Sequence, residues 1–185
     1  MEVQREIIEK YYPEDDSLRQ LLLHHSRQVA DLCLELCDSH PELCLDRQFV
    51  EEAAMLHDIG IRWCNAPGIF CLGDQPYLCH GLIGGRVLRE EGFPRHARVC
   101  ERHTGAGITQ EQIVKRQLPL PLADYLPETL EEQLVCYADK FFSKSHPDRV
   151  KTVEQAVKSL EPFGMDGVER FLTWNRMFTK KGSPL

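Results

Sequence analysis

Clustered positive charge is missing from this 185-residue chain, in which 22 Lys and Arg face 29 Asp and Glu and the net charge is −7. That argues against long nucleic acid as the main partner, because such binding needs massed cations to displace counterions. No apolar stretch approaches the roughly 20 residues that cross a bilayer. The N-terminus, MEVQREIIEKYYPEDD, is charged and lacks the apolar core of a secretion signal. A cytoplasmic chain without a membrane partner is therefore expected. The eight cysteines include no C-x-x-C pair, so a thiolate zinc site lacks its usual spacing, and a reducing compartment would keep them as thiols. Also absent are a G-x-S-x-G elbow, a P-loop and a G-x-G-x-x-G turn. There is no internal repeat, no low-complexity segment and no coiled-coil heptad to decide an oligomeric state.

What is present is helical periodicity on an ordinary globular composition, 42% hydrophobic and 28% charged. The length suits one domain over residues 1–185, all-α, with a core at about 16–145 and C-terminal helices within 148–179. The spacing predicts helices over 16–39 (stopped by Pro41), 46–60, 80–92, 94–103, 110–117, 129–143, 148–160 and 166–179. Thr129 and Glu132 form a capping-box signature. Residues 62–79, with Pro67, Gly68, Gly73 and Pro76, read as an irregular loop long enough to be a lid or substrate loop. Its Trp63, Phe70 and Tyr77 could stack on a base or pack the loop down. Cys33, Cys37, Cys100 and Cys136 fall on apolar faces as small core hydrophobes. The last five residues, KGSPL, are expected to fray.

Helical facing separates the eight histidines. His25 precedes Val29 by four residues and Cys33 by eight, which points it inward, whereas His24 shares a face with Gln28, Asp31 and Glu35. His57 lies on the face of Val50, Ala53 and Ala54, and His103 follows Val99 and Cys100. Asp139 sits among Val135, Ala138 and Phe142, and Asp58 lies inside MLHDIG. Taken singly, an inward His is more often a hydrogen-bonded core residue than a ligand. Buried carboxylates, however, are costly unless they meet a charge or a metal. Several inward histidines and two such aspartates would offset one another's cost around metal ions. Imidazole and carboxylate suit Fe, Mn, Zn or Co, and these five donors with His80, six in all, fit two ions and a bridging carboxylate better than one zinc. His96 reads as packing or as an outer partner of this group.

In order along the chain these residues are His25 in HHSRQVA, His57 and Asp58 in HDIG, His80 in CHGLIGG, His103 in ERHTGAGIT and Asp139 in YADK. An HD dipeptide alone is weak, but the ordered series resembles the HD-domain superfamily and its HDIG subgroup over about residues 20–145. The resemblance implies an all-α multi-helix bundle and a metal-dependent phosphohydrolase. It further implies that His25, His57, Asp58 and Asp139 hold one metal, and that His80 and His103, with Asp58 as bridge, hold a second and form the catalytic group. Two divalent transition ions are expected, Fe or Mn first, with Zn, Co, Ni or Mg as alternatives. The expected chemistry is attack of an acidified water on phosphorus. The substrate would be a small phosphorylated, nucleotide-like molecule, with Arg62 and Lys140 as candidate phosphate contacts and Arg102 and Lys144 behind them. Gly84 and Gly85 read as close helix packing and Gly105 and Gly107 as a turn. Two other readings stay open: a two-iron oxygenase of the same superfamily, and a non-catalytic nucleotide-sensing module.

Overall fold

Local capping chemistry sets where most helices begin. In the computed structural model, which describes residues 2–179, α1 (Glu2–Tyr11) is followed by α2 (Ser17–Ser39). The Asp16 carboxylate opens α2 by accepting the Arg19 N–H. Asp46 does the same for α3 (Arg47–Leu56) through Phe49 N–H. Then come α4 (His80–Glu90) and α5 (Pro94–Arg102), the latter with Pro at its first position. Thr109, Thr129 and Thr152 start α6 (Gln110–Arg116), α7 (Leu130–Asp139) and α8 (Val153–Leu160), each through a reciprocal capping box. The last helix, α9, spans Met165–Phe178. The fold is all-α apart from a small three-stranded sheet between α3 and α4.

A single apolar cluster links all of these helices but α6, from Ile7 and Ile8 on α1 to Phe171 and Phe178 on α9. Leu22 and Val29 of α2, Val50 and Ala54 of α3, and Leu134 and Tyr137 of α7 are buried at its centre. Tyr137 carries α9 by ring contacts to Phe171 and Phe178, with centroids 5.2 and 5.5 Å apart. Cys33, Cys37, Cys100 and Cys136 are buried, as their faces predict, and all eight cysteines are free thiols. Among the described residues no helix is long and apolar enough to cross a membrane.

Several boundaries differ from the periodicity. The helix expected over 46–60 stops at Leu56, and residues Ile59–Trp63 form a 3-10 turn. Tertiary contacts cause this: the Tyr12 hydroxyl donates to Ile59 O (2.8 Å) and accepts the Arg62 N–H (3.1 Å). Gly60 is pressed so closely on α4 that a Cβ there would lie 2.1 Å from His80 O and 2.5 Å from Gly84 N. His57 and Asp58 therefore sit at a break in the helix. The helix expected over 129–143 ends at Asp139, where Phe141 and Phe142 bond three residues back in tight turns. The helix expected from 148 starts at Val153, because Thr152 supplies its cap. Residues 62–79 are not plain loop. There β1 (Cys64–Ala66) pairs antiparallel with β2 (Cys71–Leu72) and parallel with β3 (Gln75–Pro76), and two or three residues are too few to show alternation. Gly107 takes a left-handed φ of +86°, consistent with its reading as a turn. The expectation for KGSPL lies outside the described residues.

Candidate metal centre

Six elements of the fold deliver six side chains to one buried spot. His25 comes from the middle of α2 and is 2% exposed, while His24 beside it faces outward. His57 caps the C-terminus of α3, and Asp58 follows in the turn, both fully buried. His80 opens α4, His103 caps the C-terminus of α5, and Asp139 is the last residue of α7. Three helices thus end at the cluster. The free carbonyls at helix C-termini carry partial negative charge, which favours a cation there and disfavours an anion.

Asp58 is the hinge of the arrangement. Its Oδ2 lies 3.1 Å from His57 Nε2 and 3.3 Å from His25 Nε2. Its Oδ1 lies 3.4 Å from both His80 Nε2 and His103 Nε2. Asp139 Oδ1 joins the first group, 3.0 Å from His25 Nε2 and 3.6 Å from His57 Nε2. Potential donor atoms group as His25, His57 and Asp58, as His57, His103 and Asp139, and as Asp58, His80 and His103. One carboxylate therefore turns an oxygen toward each of two donor groups.

The hydrogen bonds behind the rings decide which nitrogen is available. Nδ1 of His57 faces Ala54 O (2.6 Å), that of His80 faces Tyr77 O (2.6 Å), and that of His103 faces Cys100 O (2.8 Å). A carbonyl only accepts, so each Nδ1 carries hydrogen and each Nε2 is left as the donor nitrogen. The His80 and His103 Nε2 atoms then stand 3.0 Å apart, lone pair against lone pair. That contact needs a cation. Burial pushes the His80 pKa down to about 3 and lowers that of His103, so a proton is a poor occupant.

The remaining atoms point the same way. Both Asp58 oxygens and His57 Nε2 are buried without a hydrogen-bond partner, although Lys144 Nζ approaches Oδ2 to 2.5 Å. The Lys144 ion pair engages Oδ2 and leaves Oδ1 without a hydrogen bond, and an incompletely paired buried charge is expensive. Burial opposes ionisation of Asp58, but Lys144 and His57 hold its pKa well below the usual carboxylate range. Asp139 is also held low against burial, by Lys140 and then His25 and His57. His57 is pushed down by burial, yet Asp58 and Asp139 prevail and raise it to about 9. Nitrogen and carboxylate donors on this scale fit divalent transition ions.

Two residues of the cluster, His80 and Asp139, line a cleft of about 710 Å³. Segment 66–69 and Tyr77 make one wall, and Tyr77 stacks on the His80 ring at 4.7 Å. Lys140 lines the cleft, 2.8 Å from Asp139 Oδ2, and donates to His103 O. Arg62, named from the sequence as a phosphate contact, is placed elsewhere. Its side chain is exposed and its guanidinium lies over Tyr12 and Trp63, because the 3-10 turn after Asp58 rotates it outward. Arg102 binds Leu126 O and Glu128. His96 belongs to packing: it meets Glu52 at 3.2 Å between Phe49 and Phe93. Sequence reasoning underrated Lys144, missed Tyr12, and named Tyr77 only as a loop aromatic and not as the ring stacked on His80. Only Pro147, which marks a turning chain beyond α7, hinted that Lys144 would fold back onto Asp58.

The HD-domain family model matches residues 22–143, and the chain belongs to the HD-domain family. It is 33% identical over 162 residues to a tRNA (cytidine(56)-2'-O)-methyltransferase of Picrophilus torridus, a match covering 82% of this chain and 42% of the relative. A methyltransferase of the same name from Thermoplasma volcanium is 32% identical over 151 residues, covering 80% and 39%. An uncharacterised protein of Methanocaldococcus jannaschii is 37% identical over 124 residues, covering 62% and 66%. The chain thus spans less than half the length of the two methyltransferases and just under two thirds of the third relative. Among solved structures, the HD domain of the L. monocytogenes phosphodiesterase PgpH, alone and with cyclic-di-AMP, aligns with a TM-score of 0.49 and 15% identity. That match covers 90% of this chain and 100% or 99% of the other.

Proposed function

We propose that this chain is a metal-dependent phosphohydrolase that cleaves a phosphoester or phosphoanhydride bond in a small nucleotide-like molecule. The observation that carries the reading is Asp58, whose two buried oxygens, neither with a hydrogen-bond partner, face separate histidine pairs at 3.1–3.4 Å next to an open cleft lined by His80 and Asp139. Family membership adds to it. Divalent ions bound by His25, His57, Asp58, His80, His103 and Asp139 would supply Lewis acidity and acidify a water. The protein's own share is positioning. Asp58 holds the two donor groups in register, and backbone carbonyls of residues 54, 77 and 100 lock three rings with Nε2 inward. Lys140 brings positive charge to the cleft beside Asp139 for phosphoryl oxygens. A cleft of about 710 Å³ exceeds what a lone phosphate fills and suits a nucleotide-sized ligand. Methyl transfer is not carried over, since more than half of each methyltransferase relative lies outside the match.

The test is phosphate release from nucleotides, dinucleoside polyphosphates and cyclic nucleotides, with Mn, Fe or Mg, in air and without oxygen. Release that persists without oxygen is expected. Oxygen consumption in place of phosphate release would assign the two-iron oxygenase instead. Silence across the panel, with metal bound, would favour the sensing module.

A further inference from the structure

The cleft carries more positive charge than its own carboxylates neutralise. We propose, resting on the phosphohydrolase reading, that Lys140, Lys144 and Lys151 form one anion subsite for the phosphate adjoining the scissile one. The substrate then carries at least two linked phosphoryl groups.

The argument begins at the end of α7. After Asp139 the chain leaves the helix and returns on itself, because the Lys151 N–H donates to Phe141 O at 2.8 Å. Turns within the loop tighten it, His146 N–H to Ser143 O (3.2 Å) and Arg149 N–H to His146 O (3.1 Å). The outgoing arm therefore carries Lys140 and Lys144, the returning arm carries Lys151, and all three line the cleft. Asp139 is the only carboxylate among the lining residues.

Their pairing is unequal. Lys140 meets Asp139 at 2.8 Å and Lys144 meets Asp58 at 2.5 Å. Lys151 makes no side-chain ion pair or hydrogen bond among the described residues. Asp31 and Glu35 line a neighbouring hollow that Lys151 also touches, yet neither pairs with it. The Lys151 pKa is lowered, first by burial and then by Lys140 and Lys144, with Asp139 opposing them only in part, so its charge is incompletely compensated where it stands. An ordinary surface lysine would turn to those acids or to water.

The imbalance grows once the metal centre is considered. Asp58 and Asp139 are the carboxylates best placed to serve as metal donors, and a carboxylate shared with a cation neutralises a lysine less. Three ammonium groups then converge on the cleft without an exclusive partner. A single phosphoryl group held at the centre spends its charge there. Three further cations beside it match a second phosphoryl group.

The experiment is calorimetric titration of the manganese-loaded full chain with orthophosphate and with pyrophosphate, followed by elemental analysis to verify that metal is retained. The unaltered protein should bind pyrophosphate at least about tenfold more tightly than orthophosphate. Lys151→Gln should lose roughly tenfold for pyrophosphate, stay within about twofold for orthophosphate, and keep its metal. Lys151→Arg should restore most of the loss. The side chain makes no bonds in the fold, so an unchanged melting temperature is expected as the folding control. Equal pyrophosphate affinity in Lys151→Gln, or an equal loss for both anions, would overturn the subsite. A failed substrate panel would sink the hydrolase reading yet leave these affinities measurable, so the two failures are distinguishable.

Discussion

Replacing Asp58 by Asn keeps the shape of the side chain and removes its charge. In the folded chain that carboxylate faces four imidazole nitrogens, at 3.1 Å (His57), 3.3 Å (His25) and 3.4 Å (His80 and His103). Loss of a mere outer partner of a metal ligand already costs about 10–100-fold in affinity. Loss of a charged donor shared by two groups should cost at least the upper figure at each, about 2.7 kcal/mol per ion. Protein purified without chelators should therefore fall from near two metal equivalents to well under one. The metal-free chain feels a second effect. Lys144, 13% exposed and 2.5 Å from Asp58, loses its partner. Removing one member of a buried pair costs roughly 3–5 kcal/mol, less here because Lys144 can swing into the cleft. About 1–2 kcal/mol remains, or roughly 2–8 °C in melting temperature for a chain of this size. Adding Lys144→Met should recover that loss without recovering metal. Elemental analysis and melts with and without chelator measure both, with the outward His24→Ala as the matched control. Retention of two equivalents in Asp58→Asn would refute the bridging role, and loss in His24→Ala would refute the facing argument.

Three further outcomes follow from the same geometry. His57, raised to about 9, should hold a proton in the metal-free chain that metal must displace. Apparent metal affinity should then rise about tenfold per pH unit from roughly pH 7 to 9 and flatten above, as read by chelator competition. His57 stabilises the metal-free chain fully below its unfolded pKa of about 6.5 and stops doing so as pH passes about 9. The metal-free melting temperature should fall across that window, and a flat profile would count against a charged His57. Gly60→Ala places a Cβ 2.1 Å from His80 O and 2.5 Å from Gly84 N, both backbone atoms. At about 3 kcal/mol for such overpacking, melting should drop roughly 6–12 °C, with metal content reduced because His80 opens α4. A shift under about 2 °C would show that α4 yields freely.

Much of the centre was legible because its donors obey helical periodicity. His25 is four residues from Val29, and that spacing alone separates it from His24, which the fold leaves exposed. Asp139 could be read as buried from Val135, Ala138 and Phe142. The Thr129–Glu132 pair told where α7 begins, since a capping box is local chemistry. The end of α7 could not be read, because Lys140 to Ser143 are compatible with more helix and only the return of Lys151 to Phe141 O turns the chain. Arg62 was misplaced for the same reason. A helix running on to Gly60 would keep it near Asp58, but Tyr12, 50 residues away, binds Ile59 O and the Arg62 N–H and turns it outward.

By itself, then, the order of residues determined the all-α class, the family, the inward faces of His25, His57, His103 and Asp139, and most helix starts, all of which depend on spacings within one or two turns. Tertiary structure alone decided that α3, α5 and α7 finish at a common point, that Asp58 turns one oxygen to each histidine pair, and which lysines face the cleft. Those outcomes rest on contacts between residues far apart in the chain, such as Gly60 against α4 and Lys144 against Asp58. Periodicity records which side of a helix is buried, but nothing about what waits on the other side of the core.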